Sequence, residues 1–270
     1  MNRIIIIGGN SGIGKALAER AAKRGVQPYL IGRNSAQLAE VAAANNGLHA
    51  AADVLDEVAL ANAVTAACAD AEIGALAYCV GSIELKPLRQ LSGDAMVNAF
   101  RLNAVGAAIA AREAAAALKA AKGAMLMFST IAVAQGFASH AIVSAAKGAV
   151  EGLTRALAAE WAPHVRVNAI APSLSDTPLA SAITANAKMA EAIAGLHAIP
   201  RLGTADDHAD WRISCCRPMP AGLPGRYSRL TAGVRECAPR VKAFPGDRLF
   251  RPVAGRKVSR RACRLARRTP

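Results

Sequence analysis

Gly8, Gly12 and Gly14 follow the run Ile4-Ile5-Ile6-Ile7, and Lys15-Ala16-Leu17-Ala18-Glu19-Arg20 continues behind them as a good helix former. Glycine lets a backbone turn tightly and approach a ligand that any Cβ would block. A helix that starts at such a turn presents N–H groups with no partner inside the helix, and these attract negative charge. Strand, turn and helix start in that order suit the pyrophosphate of a dinucleotide, with Gly8, Asn10, Ser11, Gly12, Ile13 and Gly14 around it. Gly32-Arg33-Asn34 closes the next apolar run, where the adenosine ribose of such a ligand lies. A carboxylate there would bind both ribose hydroxyls and repel a 2′-phosphate. Arg33 stands there instead, and a guanidinium suits a phosphate by charge and by its forked donors. The expected cofactor is therefore NADP rather than NAD, with Arg33 and Asn34 beside the phosphate. Asp53-Val54 ends the third run and is positioned to receive the adenine amino group, although Asp is also a common turn residue.

These groups need a scaffold that brings strand ends together. Gln27–Ile31, Leu48–Asp53, Ala75–Val80, Ala124–Phe128 and Val165–Ile170 read as further strands. Helical stretches fall between them at Ser35–Asn45, Glu57–Ala69, Ala99–Lys122 and Ile142–Trp161. Strict alternation with short connections predicts an α/β protein with a doubly wound parallel sheet, a Rossmann fold. Ligands of such sheets lie over the carboxyl ends of the strands, where every group named above falls.

Charge divides the chain of 270 residues in two. Residues 1–207 carry 17 Lys/Arg against 16 Asp/Glu, a net of +1. Residues 208–270 carry 16 against 3, a net of +13, so nearly all of the overall +14 is terminal. The first part suits one dinucleotide-binding domain, and the second reads as a basic, Pro-, Arg- and Gly-rich tail expected to be disordered. No signal peptide or membrane span is read from the sequence, and Cys68 and Cys79 lack ligand or redox spacing. A reduced, cytoplasmic setting without a bound metal is expected. The tail lacks the interleaved aromatics of a nucleic-acid module, and Cys215, Cys216, Cys237 and Cys263 lack metal-site spacing.

Over residues 1 to about 210 the chain resembles the short-chain dehydrogenase/reductase family. Gly8-x-x-x-Gly12-x-Gly14 matches that family's cofactor turn. Asn103 in Phe100-Arg101-Leu102-Asn103 resembles its helix asparagine, and Ser129-Thr130 the segment carrying its active-site hydroxyl. Lys147 in Ser144-Ala145-Ala146-Lys147-Gly148 resembles its catalytic lysine. Val167-Asn168-Ala169-Ile170-Ala171-Pro172 resembles the strand and proline that cover the nicotinamide, with Thr177 placed to meet the carboxamide or phosphates. Arg201-Leu202-Gly203-Thr204 with Asp206-Asp207 resembles the link into the last helix. The resemblance implies hydride transfer between a nicotinamide and a small carbonyl or alcohol. Thr130 would bind the substrate oxygen, Lys147 the ribose hydroxyls, and Asn103 the lysine and a relay water. It also implies a homodimer or homotetramer through helices near 100–121 and 142–161, given an intact C-terminus.

The chain departs from the family at the proton donor. The tyrosine expected one helical turn before Lys147 is Val143, which has no proton to give. Thirteen residues before Val143 stands Thr130, whereas strand alternation turns Ser129 the other way. His140 shares a helical face with Val143, Ser144 and Lys147 if the helix begins early enough. Loss of the phenol leaves two readings: a short-chain oxidoreductase of doubtful activity, or a noncatalytic NADP-binding protein acting as a sensor or assembly partner. Tyr78-Cys79-Val80-Gly81 stands where the family has Asn-Asn-Ala-Gly; Gly81 is kept, and the change reads as a lineage difference. After Asp207 the expected final strand, Thr-Gly-Gln-x-x-x-Val-Asp-Gly-Gly, is absent. Codons compatible with Asp210 to Arg235, read one base out of phase, can spell Trp-Ile-Thr-Gly-Gln-Val-Phe-Ala-Val-Asp-Gly-Gly. A frameshift near residues 207–210 is the expectation, and the nucleotide sequence tests it.

Overall fold

A computed structural model describes residues 2–197 and 199–209. Six parallel strands form one sheet in the order β3-β2-β1-β4-β5-β6. They are β1 (Asn2–Ile7), β2 (Gln27–Gly32), β3 (Leu48–Ala51), β4 (Glu72–Tyr78), β5 (Ala124–Phe128) and β6 (Arg166–Ile170). Helices α1 (Gly12–Ala22), α2 (Ser35–Ala44) and α3 (Glu57–Cys68) connect the first four strands. Between β4 and β5 run α4 (Gly93–Phe100), a π-helical turn over Arg101–Val105, and α5 (Gly106–Ala120). The short α6 (Ala132–Gln135) and the long α7 (Ala141–Trp161) connect β5 to β6. Beyond β6 come β7 (Ser175–Asp176), α8 (Ser181–Thr184), α9 (Ala187–Ala194) and β8 (Gly203–Thr204), with β7 and β8 paired in a small sheet of their own.

The four isoleucines of β1 explain why that strand is central. Side chains alternate along a strand, so Ile4 and Ile6 pack with Leu17, Leu30 and Leu38 of one layer, and Ile5 and Ile7 with Leu60, Val64 and Leu76 of the other. All four are at most 1% exposed, and burial of each contributes on the order of 1.5–3 kcal/mol. The chain reverses its winding between β1 and β4, and in doubly wound sheets the ligand crevice lies at such a switch, outside the carboxyl ends of the strands.

The expected elements are all present, with shifted limits. β4 starts three residues early at Glu72, and β3 stops at Ala51, short of Asp53. The single helix expected over Ala99–Lys122 begins at Gly93, because Ser92 caps it by accepting from the Ala95 amide, and the π-turn interrupts it. The division at residue 207, drawn from charge, falls inside the packed structure. His208 is buried, with its Nε2 2.7 Å from the Ser175 hydroxyl, and Ala209 belongs to the core beside Ile4 and Ile6. The remaining basic run, residues 210–270, lies outside the described residues, as do the expectations of disorder and of altered reading phase attached to it.

Candidate functional site

The glycine turn is built by close approach. Gly8 and Gly12 have φ of +83° and +51°, which glycine adopts without steric cost. A Cβ on Gly14 would stand 2.0 Å from the Gly8 carbonyl oxygen, so no side chain fits where α1 meets the end of β1. Ser11 occupies the helix N-cap without making a side-chain cap bond, and this leaves the first-turn amides facing the crevice. Ile13 packs inward against the cores on both sides of the turn. Thr177 covers the turn from the other side, its Cβ 3.7 Å from the point where a Gly12 Cβ would lie. The shape fits a pyrophosphate held by backbone amides.

Several predicted ligands also hold the scaffold together. The Asn10 amide nitrogen donates to Gln37 Oε1 at 2.9 Å and ties the turn to α2. Asn34 caps α2 by accepting from the Gln37 amide, and Arg33 is exposed beside it at the end of β2. Asp53 Oδ1 accepts from the Leu55 amide at 3.0 Å, the turn role that the sequence left open, while Val54 is buried. Arg33 is exposed at the carboxyl end of β2.

Lys147 and Asn103 meet over Gly81. A Cβ on Gly81 would lie 2.9 Å from Lys147 Nζ and 3.1 Å from Asn103 Oδ1, so any side chain at the end of β4 would displace the lysine tip from this place. Both side chains are buried. Asn103 donates through Nδ2 to the Ala99 carbonyl at 2.8 Å and to Ser82 Oγ at 3.3 Å, whereas its Oδ1 has no hydrogen-bond partner. A buried acceptor left this way fits a site that a ligand or water completes. Burial lowers the Lys147 ammonium to about 8 from its usual 10.5, opposed by the nearby Cys79.

Across the crevice, the Ile131 amide donates to the Pro172 carbonyl at 3.1 Å and joins the end of β5 to the loop after β6. Thr130 Oγ1 accepts from the Ala132 amide at 3.3 Å, and its own O–H is left to donate. Ser129 faces the other way, as alternation predicts, and donates to Glu151 Oε1 at 2.8 Å in a buried pair. Val143 is buried on α7 one turn before Lys147. His140 is the N-cap of α7, its Nδ1 2.7 Å from the Ala138 carbonyl and its ring tilted against Phe137. Ser144 donates to the Ala132 carbonyl at 3.3 Å.

Sequence reading missed Ser82, Cys79 and Glu151 as neighbours of these groups. Glu151 was accessible in principle, since it follows Lys147 by four residues on one helical face. Ser82 and Cys79 become neighbours only through the strand pairing and carried no local signal. Among the described residues no His, Cys, Asp and Glu cluster could hold a metal ion, and no helix is long and apolar enough to cross a membrane.

Known proteins resemble this chain over most of its length. The family profile described as enoyl-(acyl carrier protein) reductase matches residues 7–233. A 3beta-hydroxysteroid dehydrogenase of Mediterraneibacter gnavus is 32% identical over 193 residues, covering 68% of this chain and 70% of that protein. The short-chain reductase protein NovJ of Streptomyces niveus is 31% identical over 243 residues, covering 85% and 92%. A short-chain type dehydrogenase/reductase from Mycobacterium ulcerans superposes with a TM-score of 0.78 at 28% identity, over 86% of this chain and 88% of that one. An actinorhodin polyketide ketoreductase variant solved with NADPH superposes at 0.79 over 86% and 97%, and at 21% identity it speaks for the fold alone.

Proposed function

This chain belongs to the short-chain dehydrogenase/reductase family, whose members are NAD(P)-dependent oxidoreductases of small alcohols and carbonyl compounds, and from that premise we propose an NADP-dependent carbonyl reductase or alcohol dehydrogenase. The convergence of Lys147, Asn103 and Gly81 at one strand end, facing the glycine turn, carries this reading. Arg33 without a neighbouring carboxylate supports NADP over NAD.

The nicotinamide supplies the hydride when bound. The first-turn amides of Gly12, Ile13 and Gly14 would face the pyrophosphate, whereas the Gly8 amide is taken by the Ile31 carbonyl at 2.7 Å and Gly8 serves by its turn geometry. Arg33 with Asn34 would receive the 2′-phosphate. Asp53 and Val54 border the adenine, whereas Pro172 and Thr177 border the nicotinamide. Thr130 donates its hydroxyl hydrogen to the substrate oxygen. Lys147 holds the ribose hydroxyls, and Asn103 Oδ1 accepts from a water that leads towards the lysine. Loss of a general acid typically lowers rate by about 10²–10⁴-fold and leaves orientation in place, so slow turnover is expected.

A noncatalytic NADP-binding protein is the second reading, and buried Val143 at the phenol position favours it. Titration with NADPH followed by a carbonyl panel separates the two. Binding with slow reduction supports the reductase, and binding with no reduction in this chain or in Val143→Tyr supports the second reading.

A groove lined by Phe100 of α4, Ala104 of the π-turn, Ile109 of α5 and Ala149 and Leu153 of α7, with Glu57 and Arg112 also at its wall, supports pairing of two copies through this face. We place the protein in the cytoplasm, with small molecules rather than nucleic acid or membrane as partners. We read residues 210–270 as out of phase with the ancestral gene, which codons incompatible with the shifted reading would refute.

A further inference from the structure

Tyr78 stands at a position where the sequence comparison gave only a lineage difference, yet it touches the turn that carries Asn103. In an α-helix the Gly106 amide would bond the Leu102 carbonyl, four residues back. Here it bonds the Arg101 carbonyl, five residues back, which is the defining bond of the π-turn. The Leu102 carbonyl thereby loses its helical partner. The Tyr78 hydroxyl donates to that carbonyl at 2.6 Å from the end of β4. Tyr78 is 2% exposed, and burial together with Asp53 keeps its phenol protonated well above its ordinary range. Gly106 makes the contact possible, because a Cβ there would lie 2.3 Å from the Tyr78 oxygen.

We propose that Tyr78 is a positioning residue whose hydroxyl replaces the Gly106 amide at the Leu102 carbonyl and so maintains the π-turn that turns Asn103 Oδ1 towards Lys147. The proposal rests on the reading of Asn103 and Lys147 as working residues. A five-residue turn adds one residue to the register, so its relaxation to α-helix would rotate Asn103 by roughly 100° relative to α5. Asn103 would then lose the Ala99 carbonyl and its place over Gly81. Asparagine at the Tyr78 position could tie neighbouring strands but is too short to make this contact, which makes the arrangement a property of this chain.

The test is Tyr78→Phe in the full chain, read in two ways. In a crystal structure of the cofactor-free variant, the Gly106 amide should shift to the Leu102 carbonyl and Asn103 should leave Gly81; an unchanged Arg101 bond and Asn103 position would overturn the proposal. In single-turnover hydride transfer from NADPH, Tyr78→Phe should cost on the order of tenfold to a hundredfold in the Asn103 chain and under about twofold in Asn103→Ala. Equal losses in both backgrounds would also overturn it. If Tyr78→Phe folds poorly, Tyr78→Phe/Gly106→Ala fills the vacated space, with the added Cβ meeting the ring carbon at a tight 3.3 Å that a small shift of the ring relieves, and is read in the same two ways. A chain with no measurable turnover sinks the proposed reductase, and the crystal structure then still decides the role of Tyr78.

Discussion

At the β1–α1 turn the crevice wall is backbone. Its shape comes from positive φ angles and from the absence of a Cβ at Gly14, and its charge comes from helix amides. At the β5–α7 side the wall is made of side chains, namely Thr130, Lys147 and, one turn away, Val143. The two halves respond differently to change. A backbone site tolerates almost any neighbour but no added atom at its contact point. A side-chain site keeps its frame when one residue changes and loses only that residue's chemistry. This contrast would let a chain keep a glycine turn shaped for a dinucleotide while Val143 stands where the family resemblance implies a tyrosine.

The sharpest way to break the contrast is Gly14→Ala. With the Gly8 carbonyl 2.0 Å from the new Cβ, the turn must open, so NADPH affinity should fall at least about 10³-fold and the melting temperature should drop by several degrees. Calorimetric binding and thermal scans read both, and an affinity within tenfold of the parent would show that the cradle is not rigid backbone. On the other side, Val143→Tyr should raise the single-turnover rate by about 10²–10⁴-fold while NADPH affinity stays within a few fold. A large change in affinity would mean that the halves are not separable. Arg33→Asp should invert the preference between NADPH and NADH by roughly ten- to a hundredfold, measured as a ratio of dissociation constants. An unchanged ratio would move the 2′-phosphate away from Arg33.

The smallest expected effect is a dependence of stability on pH. Lys147 titrates at about 8 in the folded chain against 10.5 when unfolded, so between these values the unfolded chain binds more protons. Stability therefore rises with pH across that window and is lowest below it. Urea midpoints from pH 7 to pH 11 should show the rise, and Lys147→Met should flatten it. His208 works in the same direction at lower pH. Burial depresses its pKa, so the folded state loses stability as pH falls through the usual imidazole range.

Much of this was legible in local sequence because the signals are local. Isoleucine runs, glycine spacing and the lysine four residues after Val143 each reflect one element's own geometry. Parallel strands and double winding followed from alternation, and the placing of candidate residues at strand ends followed from that, whereas the strand order itself is given by the structure. What stayed hidden depends on contacts between distant elements. The π-turn at 101–105 has no composition of its own, and its support comes from Tyr78, 24 residues from Leu102. The tying role of Asn10 and the capping role of Asn34 were masked because one side chain can serve a fold and a ligand alike, whereas the turn role of Asp53 was one of two readings the sequence offered. The buried His208–Ser175 contact, just past the change of charge at 207, leaves no trace in net charge.

The central place of β1 has a consequence for synthesis. Its register with β2 closes within the first 31 residues, but its other edge waits for Glu72–Tyr78. A nascent chain therefore carries Ile4–Ile7 half-paired, apolar and uncharged, until some seventy residues have left the ribosome. That interval is when a chaperone or a neighbouring polysome would capture it, and a lysine substituted at Ile5 or Ile7 would trade lower aggregation yield during translation for loss of the finished core.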